Sequence, residues 1–285
     1  MPDLSKGVIR YMITMAVADT MVCVFNVTLG NVFLYHFPRS FLAHTSTCRL
    51  GAVIQRSSVQ FSVSSTVSFT IDRCIAICSQ KLKTKYCTKR IAAVIISTVC
   101  VFSFLMHIPA YFQYEPQSVV DGVQWDCSTV TQYYSSPAWQ AYRWLSNSFV
   151  AYVPLPLLLL LNSLTARHIL LASKARRSLK RRGVGEVRDP EMISRRTSII
   201  LLFAISGCFI ALWAPAMIIG IFSQFTTEFT FDAEKSLYLA IRISVLLMYL
   251  SSCANTWIYA LTQRRFREEL MKVLKYPFMV LFRFF

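Results

Sequence analysis

Polar residues break this chain into six long apolar runs: roughly Val8–Phe37, Ser46–Cys78, Ile91–Phe112, Ala138–Leu171, Ile199–Phe225 and Leu237–Leu261. Each is long enough to cross about 30 Å of hydrocarbon as a helix. Isolated apolar runs are predicted to be helical, because backbone groups must find their partners internally in lipid. A membrane β-barrel would need short alternating segments, and Leu155–Leu161 does not alternate. The expected fold is therefore all-α: a polytopic transmembrane helix bundle forming a single domain over residues 1–285.

The polar connections are unequal. Lys81, Lys83, Lys85, Lys89 and Arg90 separate the second and third runs. Nine basic residues from Lys174 to Arg196 separate the fourth and fifth, and Arg264, Arg265, Arg267, Lys272 and Lys275 follow the sixth. The loop from Gln113 to Pro137 has no Lys or Arg, but has Glu115, Asp121 and Asp126. The positive-inside rule puts the basic loops and the C-terminus in the cytosol, with Lys6 and Arg10 beside them. Six spans return the chain to that side, in a multi-pass protein expected in the plasma membrane. The first run is too long for a signal peptide and contains Asp19. A net charge of +16 would suggest nucleic acid in a soluble protein. Here hydrophobic residues are 55% of the chain and charged ones only 15%. The basic residues read as membrane anchors, in contact with lipid rather than nucleic acid.

The nine cysteines sort by side. Cys23, Cys100, Cys208 and Cys253 lie within apolar runs, where small buried thiols are ordinary. Cys74, Cys78 and Cys87 face the cytosol. Cys48 and Cys127 are outside and can pair in the oxidising compartment. Twenty-five residues separate Cys48 from Arg73, a helical length of about 37 Å. One helix thus carries an outer thiol and an inner Asp72-Arg73 pair.

Polar groups within spans mark function. Asp19, Ser62, Ser251 and Asn255 fall near one depth, suggesting a chamber for a hydrated sodium ion or a water network; the alternative is a protonated structural acid. Leu212-Trp213-Ala214-Pro215 puts a bulky indole beside a predicted kink. Pro109 and Pro154 predict further kinks.

The ordered set Asp19; Cys48 to Asp72-Arg73-Cys74; Cys127; Pro154; Leu212-Trp213-Ala214-Pro215; and Asn255-Thr256-Trp257-Ile258-Tyr259 with Phe266 resembles a rhodopsin-like (class A) G-protein-coupled receptor. More narrowly, Cys78–Cys87, Leu201–Gly207 and Phe266–Leu270 resemble the G-protein coupled receptor 139 group. The resemblance implies that an extracellular ligand shifts the bundle and activates a heterotrimeric G protein. Arg73 would meet that partner, with Asp72 holding it at rest. Trp213 with Pro215 would act as a lever, and Asn255 with Tyr259 as a relay. Sodium would be an allosteric modulator, with no other cofactor. Residues 264–275 would form an amphipathic helix on the membrane, with Phe266, Leu270 and Leu274 on its buried side.

Departures from the family pattern bear on these expectations. Cys74 stands for the usual tyrosine, Thr256 for the usual proline, and Arg195 and Arg196 open the fifth run where an acid is usual. Like charges exclude an ionic lock between that helix and Arg73. The family has seven spans, and this chain begins at what resembles the second. A fragment is the expectation, with a non-signalling six-span binding or partner protein as the alternative. Gln55 stands where amine receptors carry an aspartate, disfavouring an amine ligand. Arg56 and Arg242 could meet a carboxylate, pair with acids such as Asp126, or snorkel. Gln60, Tyr152, Phe209 and Met217 complete the pocket candidates, for a peptide or a small aromatic or acidic ligand. A transporter would show repeated halves or broken helices. A membrane enzyme would need a catalytic cluster, and His36, His44, His107 and His168 are scattered.

Overall fold

Lipid offers no hydrophobic drive between helices, so the bundle must hold by close packing and hydrogen bonds. The computed structural model describes residues 2–37, 40–180, 190–225, 231–262 and 271. Among them, six helical spans are long and apolar enough to cross a membrane: Gly7–His36, Thr45–Cys78, Lys89–Gln113, Pro137–Lys174, Ile199–Phe222 and Ser236–Asn255. The expected amphipathic helix at 264–275 lies outside the described residues, apart from Met271.

The second span is the hub. It packs against the first, third, fourth and fifth spans, and the first and sixth also meet. Of its apolar window 56% is buried, against 17% for the third and sixth. Its sequence explains this: Ser57, Ser58, Ser62, Ser65, Thr66 and Thr70 are small and buried, so neighbouring backbones approach closely. Thr66 and Thr70 bond carbonyls four residues back, at 3.1 and 2.9 Å, which satisfies their hydroxyls within the helix. Two apolar clusters flank the hub. One joins Tyr11, Met12 and Met15 to Phe69, Ala92, Leu201 and Ile205. The other joins Val63 to Leu155, Leu158, Phe209 and Trp213.

Two spans carry π-helical stretches that the hydrophobic pattern does not predict. In the first span, Cys23–Phe33 is π-helical. Thr28 Oγ1 donates to the Cys23 carbonyl at 3.1 Å and Asn31 Nδ2 to the Asn26 carbonyl at 2.5 Å, both five residues back. Asn26 reaches the second span, bonding Ser58 Oγ at 3.0 Å and the Gln55 carbonyl at 3.3 Å. In the fourth span, Ser148–Tyr152 is π-helical just before Pro154. A proline ring clashes with the carbonyl four residues back, here Val150. The helix widens, and Val153 N–H bonds the Ser148 carbonyl at 2.9 Å. At Pro109 the third span tightens into a 3-10 turn, Ile108–Gln113. Pro215 sits inside the continuous helix Pro190–Phe225.

The acidic connection after the third span folds over the Cys48 end of the bundle. Strand β1 (Tyr114–Glu115) pairs antiparallel with β4 (Ser128–Thr129). Strand β2 (Ser118–Val120) pairs with β3 (Val123–Trp125). Asp121 and Gly122 turn that hairpin with φ of 52° and 77°, the positive values a two-residue turn requires. The loop is anchored by the Cys48–Cys127 disulfide, Cα atoms 6.5 Å apart. Asp126 N–H to the Ala43 carbonyl (2.7 Å) and Arg49 Nε to the Tyr114 carbonyl (2.8 Å) add two further ties.

Candidate functional site

Three polar stations lie along the bundle. The middle one centres on Asp19, which is 2% exposed. Its two oxygens take different spans: Ser62 Oγ donates to Oδ1 at 2.5 Å, and Asn255 Nδ2 to Oδ2 at 3.1 Å. The Ser252 hydroxyl lies near the same carboxylate. Ser251, grouped with Asp19 by depth, instead accepts the Trp213 indole N–H at 2.8 Å. That rotation follows from helix geometry, since adjacent residues point about 100° apart. Phe209 stacks on Trp213 at 4.8 Å, and Met217 packs against the same cluster. The first, second and sixth spans therefore meet at Asp19, and the fifth joins through the Trp213–Ser251 bond. Ser252 could have been anticipated only from the helical register of the sixth span.

Among the described residues no basic side chain lies against this buried carboxylate, which calls for a proton or a cation to neutralise it. Around it stand serine hydroxyls, whose oxygens are the hard donors that alkali and alkaline-earth ions take, and the Asn255 amide, which presents its Nδ2 to Asp19. Ser62 and Ser252 therefore fit a small cation at Asp19, and Asn255 would join them by turning its amide oxygen inward.

The second station sits at the opposite end of the second span from the disulfide. Asp72 and Arg73 are both buried, at 8% and 7% exposure. Arg73 Nε donates to Asp72 Oδ2 at 3.0 Å, and Nη2 bonds the same oxygen. The guanidinium also lies 6.0 Å from the Phe69 ring centre. Cys87, from the short connection to the third span, donates its thiol to the Asp72 carbonyl at 3.4 Å. Burial first, then the Asp72 charge, pushes the Cys87 thiol up to about 12, so it stays protonated. Cys74 is buried beside this pair. The basic loop pattern does not reveal the Cys87 contact, which needs a turn the sequence does not specify.

The third station lies at the disulfide end. Arg56, half-buried, faces Tyr133, Tyr114 and Tyr142, with no acid facing it among the described residues. Gln60 is 1% exposed; its Nε2 donates to Ser64 Oγ at 2.8 Å and the Phe149 carbonyl at 3.2 Å, while its Oε1 has no partner. Beside them, His107 is buried between the Ser103 carbonyl at 2.9 Å and Ser146 Oγ at 3.3 Å. Arg143 lies 5.1 Å over the Tyr133 ring. His107 and Arg143 were not among the pocket candidates; an ionisable residue inside a span was the signal that could have found them. The remaining candidates are more dispersed. Gln55 abuts Gly30 of the first span. Tyr152 packs on Trp144 with ring centres 5.9 Å apart. Arg242 is exposed, donating to its own helix's Tyr238 hydroxyl at 2.9 Å. Tyr259 lies in the helix Phe231–Thr262, but its side chain is outside those described.

Among the described residues no group of three or more His, Cys, Asp or Glu is gathered as a metal site would need. The arrangement couples helices through single polar bonds, as a conformational device requires. The comparisons with known proteins agree. The isotocin receptor of Catostomus commersonii is 24% identical over 267 residues, 86% of this chain and 63% of that protein. The neuromedin-U receptor 2 of Mus musculus is 26% identical, covering 92% and 66%. The melatonin receptor type 1B of Rattus norvegicus is 24% identical, covering 93% and 68%. The chain thus spans about two thirds of the length of these curated relatives. The family described as 7 transmembrane receptor (rhodopsin family) matches residues 5–259. With its helical spans and with receptors, not enzymes, as relatives, the chain belongs to the rhodopsin-like (class A) G-protein-coupled receptors.

Proposed function

We propose that this chain carries a signal across the plasma membrane, from an extracellular ligand to a heterotrimeric G protein. The observation that carries this reading is the second span. One 34-residue helix, Thr45–Cys78, bears the strapped disulfide at one end and the buried Asp72–Arg73 pair at the other. The disulfide end with its acidic hairpin faces outward, and the basic connections and C-terminus face the cytosol. Asp72 holds Arg73 against the helix; movement of the fifth span releases it toward the G protein. Trp213, clamped to Ser251 on the sixth span, transmits the shift, with Pro215, Asn255 and Tyr259 in the relay. A sodium ion at Asp19 favours the resting arrangement.

The ligand is a peptide or a small aromatic or acidic molecule. Arg56 among tyrosines supports this, because a half-buried guanidinium with no acid facing it among the described residues offers forked donors to a carboxylate. The relatives support an extracellular ligand in general, being named as receptors for isotocin, neuromedin-U and melatonin. The test is nucleotide exchange by a purified heterotrimer on membranes containing the chain. Arg73→Ala should lose all exchange above empty membranes while surface expression stays intact. Undiminished exchange by that variant would remove Arg73 from the mechanism.

A further inference from the structure

Two thiols face each other between the first and sixth spans. Cys23 Sγ lies 3.6 Å from Cys253 Sγ, although 230 residues separate them in sequence. Cys23 stands one helical turn beyond Asp19 and Cys253 two residues before Asn255, so the sulfur contact and the Asp19–Asn255 bond join the same two spans. Among the described residues Cys253 is exposed and Cys23 half-buried. Both fall inside spans, Gly7–His36 and Ser236–Asn255. Free thiols scattered through a bundle rarely meet, and nothing in the Asp19 station uses this pair.

We propose that Cys23 and Cys253 form a reversible disulfide clasp, closed by organic hydroperoxides of the acyl-chain region. The position selects the oxidant. Both thiols lie within membrane spans, where oxidised acyl chains are the peroxides at hand. The Cys253 thiol attacks the terminal oxygen of the hydroperoxide and the O–O bond breaks. This leaves a Cys253 sulfenic acid and a lipid alcohol. Cys23 then attacks that sulfur; the S–S bond forms, and the hydroxyl departs as water with the Cys23 proton. Two thiols together lose two protons and two electrons, and the hydroperoxide is reduced to alcohol and water. The sulfurs need to close only from 3.6 Å to about 2.05 Å. A reducing thiol reopens the bond by exchange. The clasp would fasten the sixth span to the first beside Asp19. Its effect on signalling rests on the receptor reading above; its formation does not.

The test uses the full chain in phosphatidylcholine vesicles treated with cumene hydroperoxide. Non-reducing digestion and mass spectrometry should yield one peptide pair joined through Cys23 and Cys253, lost on adding dithiothreitol and absent in Cys253→Ser. Cys100, exposed on the third span, reports whether oxidant reached the membrane. If Cys100 is oxidised while Cys23 and Cys253 both still take up N-ethylmaleimide, the clasp is overturned. Separate sulfinic acids on the two residues overturn it as well. Because the wild-type chain carries this measurement, a variant that fails to fold does not blunt it. In a wild-type chain that supports nucleotide exchange, clasp formation should abolish exchange, and dithiothreitol should restore it. A linked peptide with undiminished exchange overturns the clasp as a switch. A chain without exchange before oxidation counts against the receptor reading, and the linked peptide still decides the clasp.

Discussion

Asp19 gathers donors from the second and sixth spans and, among the described residues, has no basic side chain in contact, so its charge calls for an ion or a proton. An ion that binds the folded state raises its stability by mass action. Sodium chloride should therefore raise the Tm of the purified protein above that in N-methylglucamine chloride at equal ionic strength. Asp19→Asn should erase the difference between the two salts; if the variant keeps it, sodium binds elsewhere. The residue scale was only partly legible in the sequence. Asp19, Ser62 and Asn255 could be grouped because each is a polar residue at similar depth in an apolar run. Ser251 and Ser252 could not be told apart, since depth fixes height along a helix and leaves rotation open. His107 and the Cys87 thiol escaped for a related reason: their roles arise from neighbours distant in sequence.

At the scale of the element, hydrophobic pattern predicts where helices run and misses how they are wound. The apolar runs and the observed spans coincide closely, because length and polarity decide membrane residence. The π-helical stretches at Cys23–Phe33 and Ser148–Tyr152 add residues per turn without altering mean hydropathy, so no periodic signal marks them. The acidic loop's two strand pairs were equally silent, being two or three residues each. Gly30 tests the wound segment. A Cβ there would lie 2.7 Å from Gln55 Nε2 and 3.0 Å from the Phe25 carbonyl oxygen. The amide can swing aside; the backbone carbonyl cannot. In an ordinary helix Gly→Ala gains up to about 1 kcal/mol, but here overpacking costs about 1–3 kcal/mol. Gly30→Ala should lower the Tm, and adding Gln55→Ala should recover part of the loss. A Gly30→Ala variant as stable as the parent would show that the close approach is not required.

For the whole molecule, loop charge dictates orientation, and side-specific labelling measures it directly. Cysteines introduced singly at Gln124, in the hairpin, and at Lys85, in the basic connection, sit at opposite ends of the bundle. On intact cells an impermeant maleimide should label Gln124→Cys and spare Lys85→Cys until the membrane is opened. Equal labelling of both before permeabilisation would reject the proposed sidedness and the receptor mechanism built on it.

The uneven burial of the spans has an evolutionary reading. A rod hemmed in by neighbours on most sides tolerates few changes of side-chain volume, whereas flanks turned toward acyl chains accept almost any greasy substituent. Random mutagenesis under selection for folding should therefore leave the Thr45–Cys78 helix nearly unchanged while the third span drifts. Variation among descendants of this chain would then pool at the bundle's periphery, with its axle held fixed.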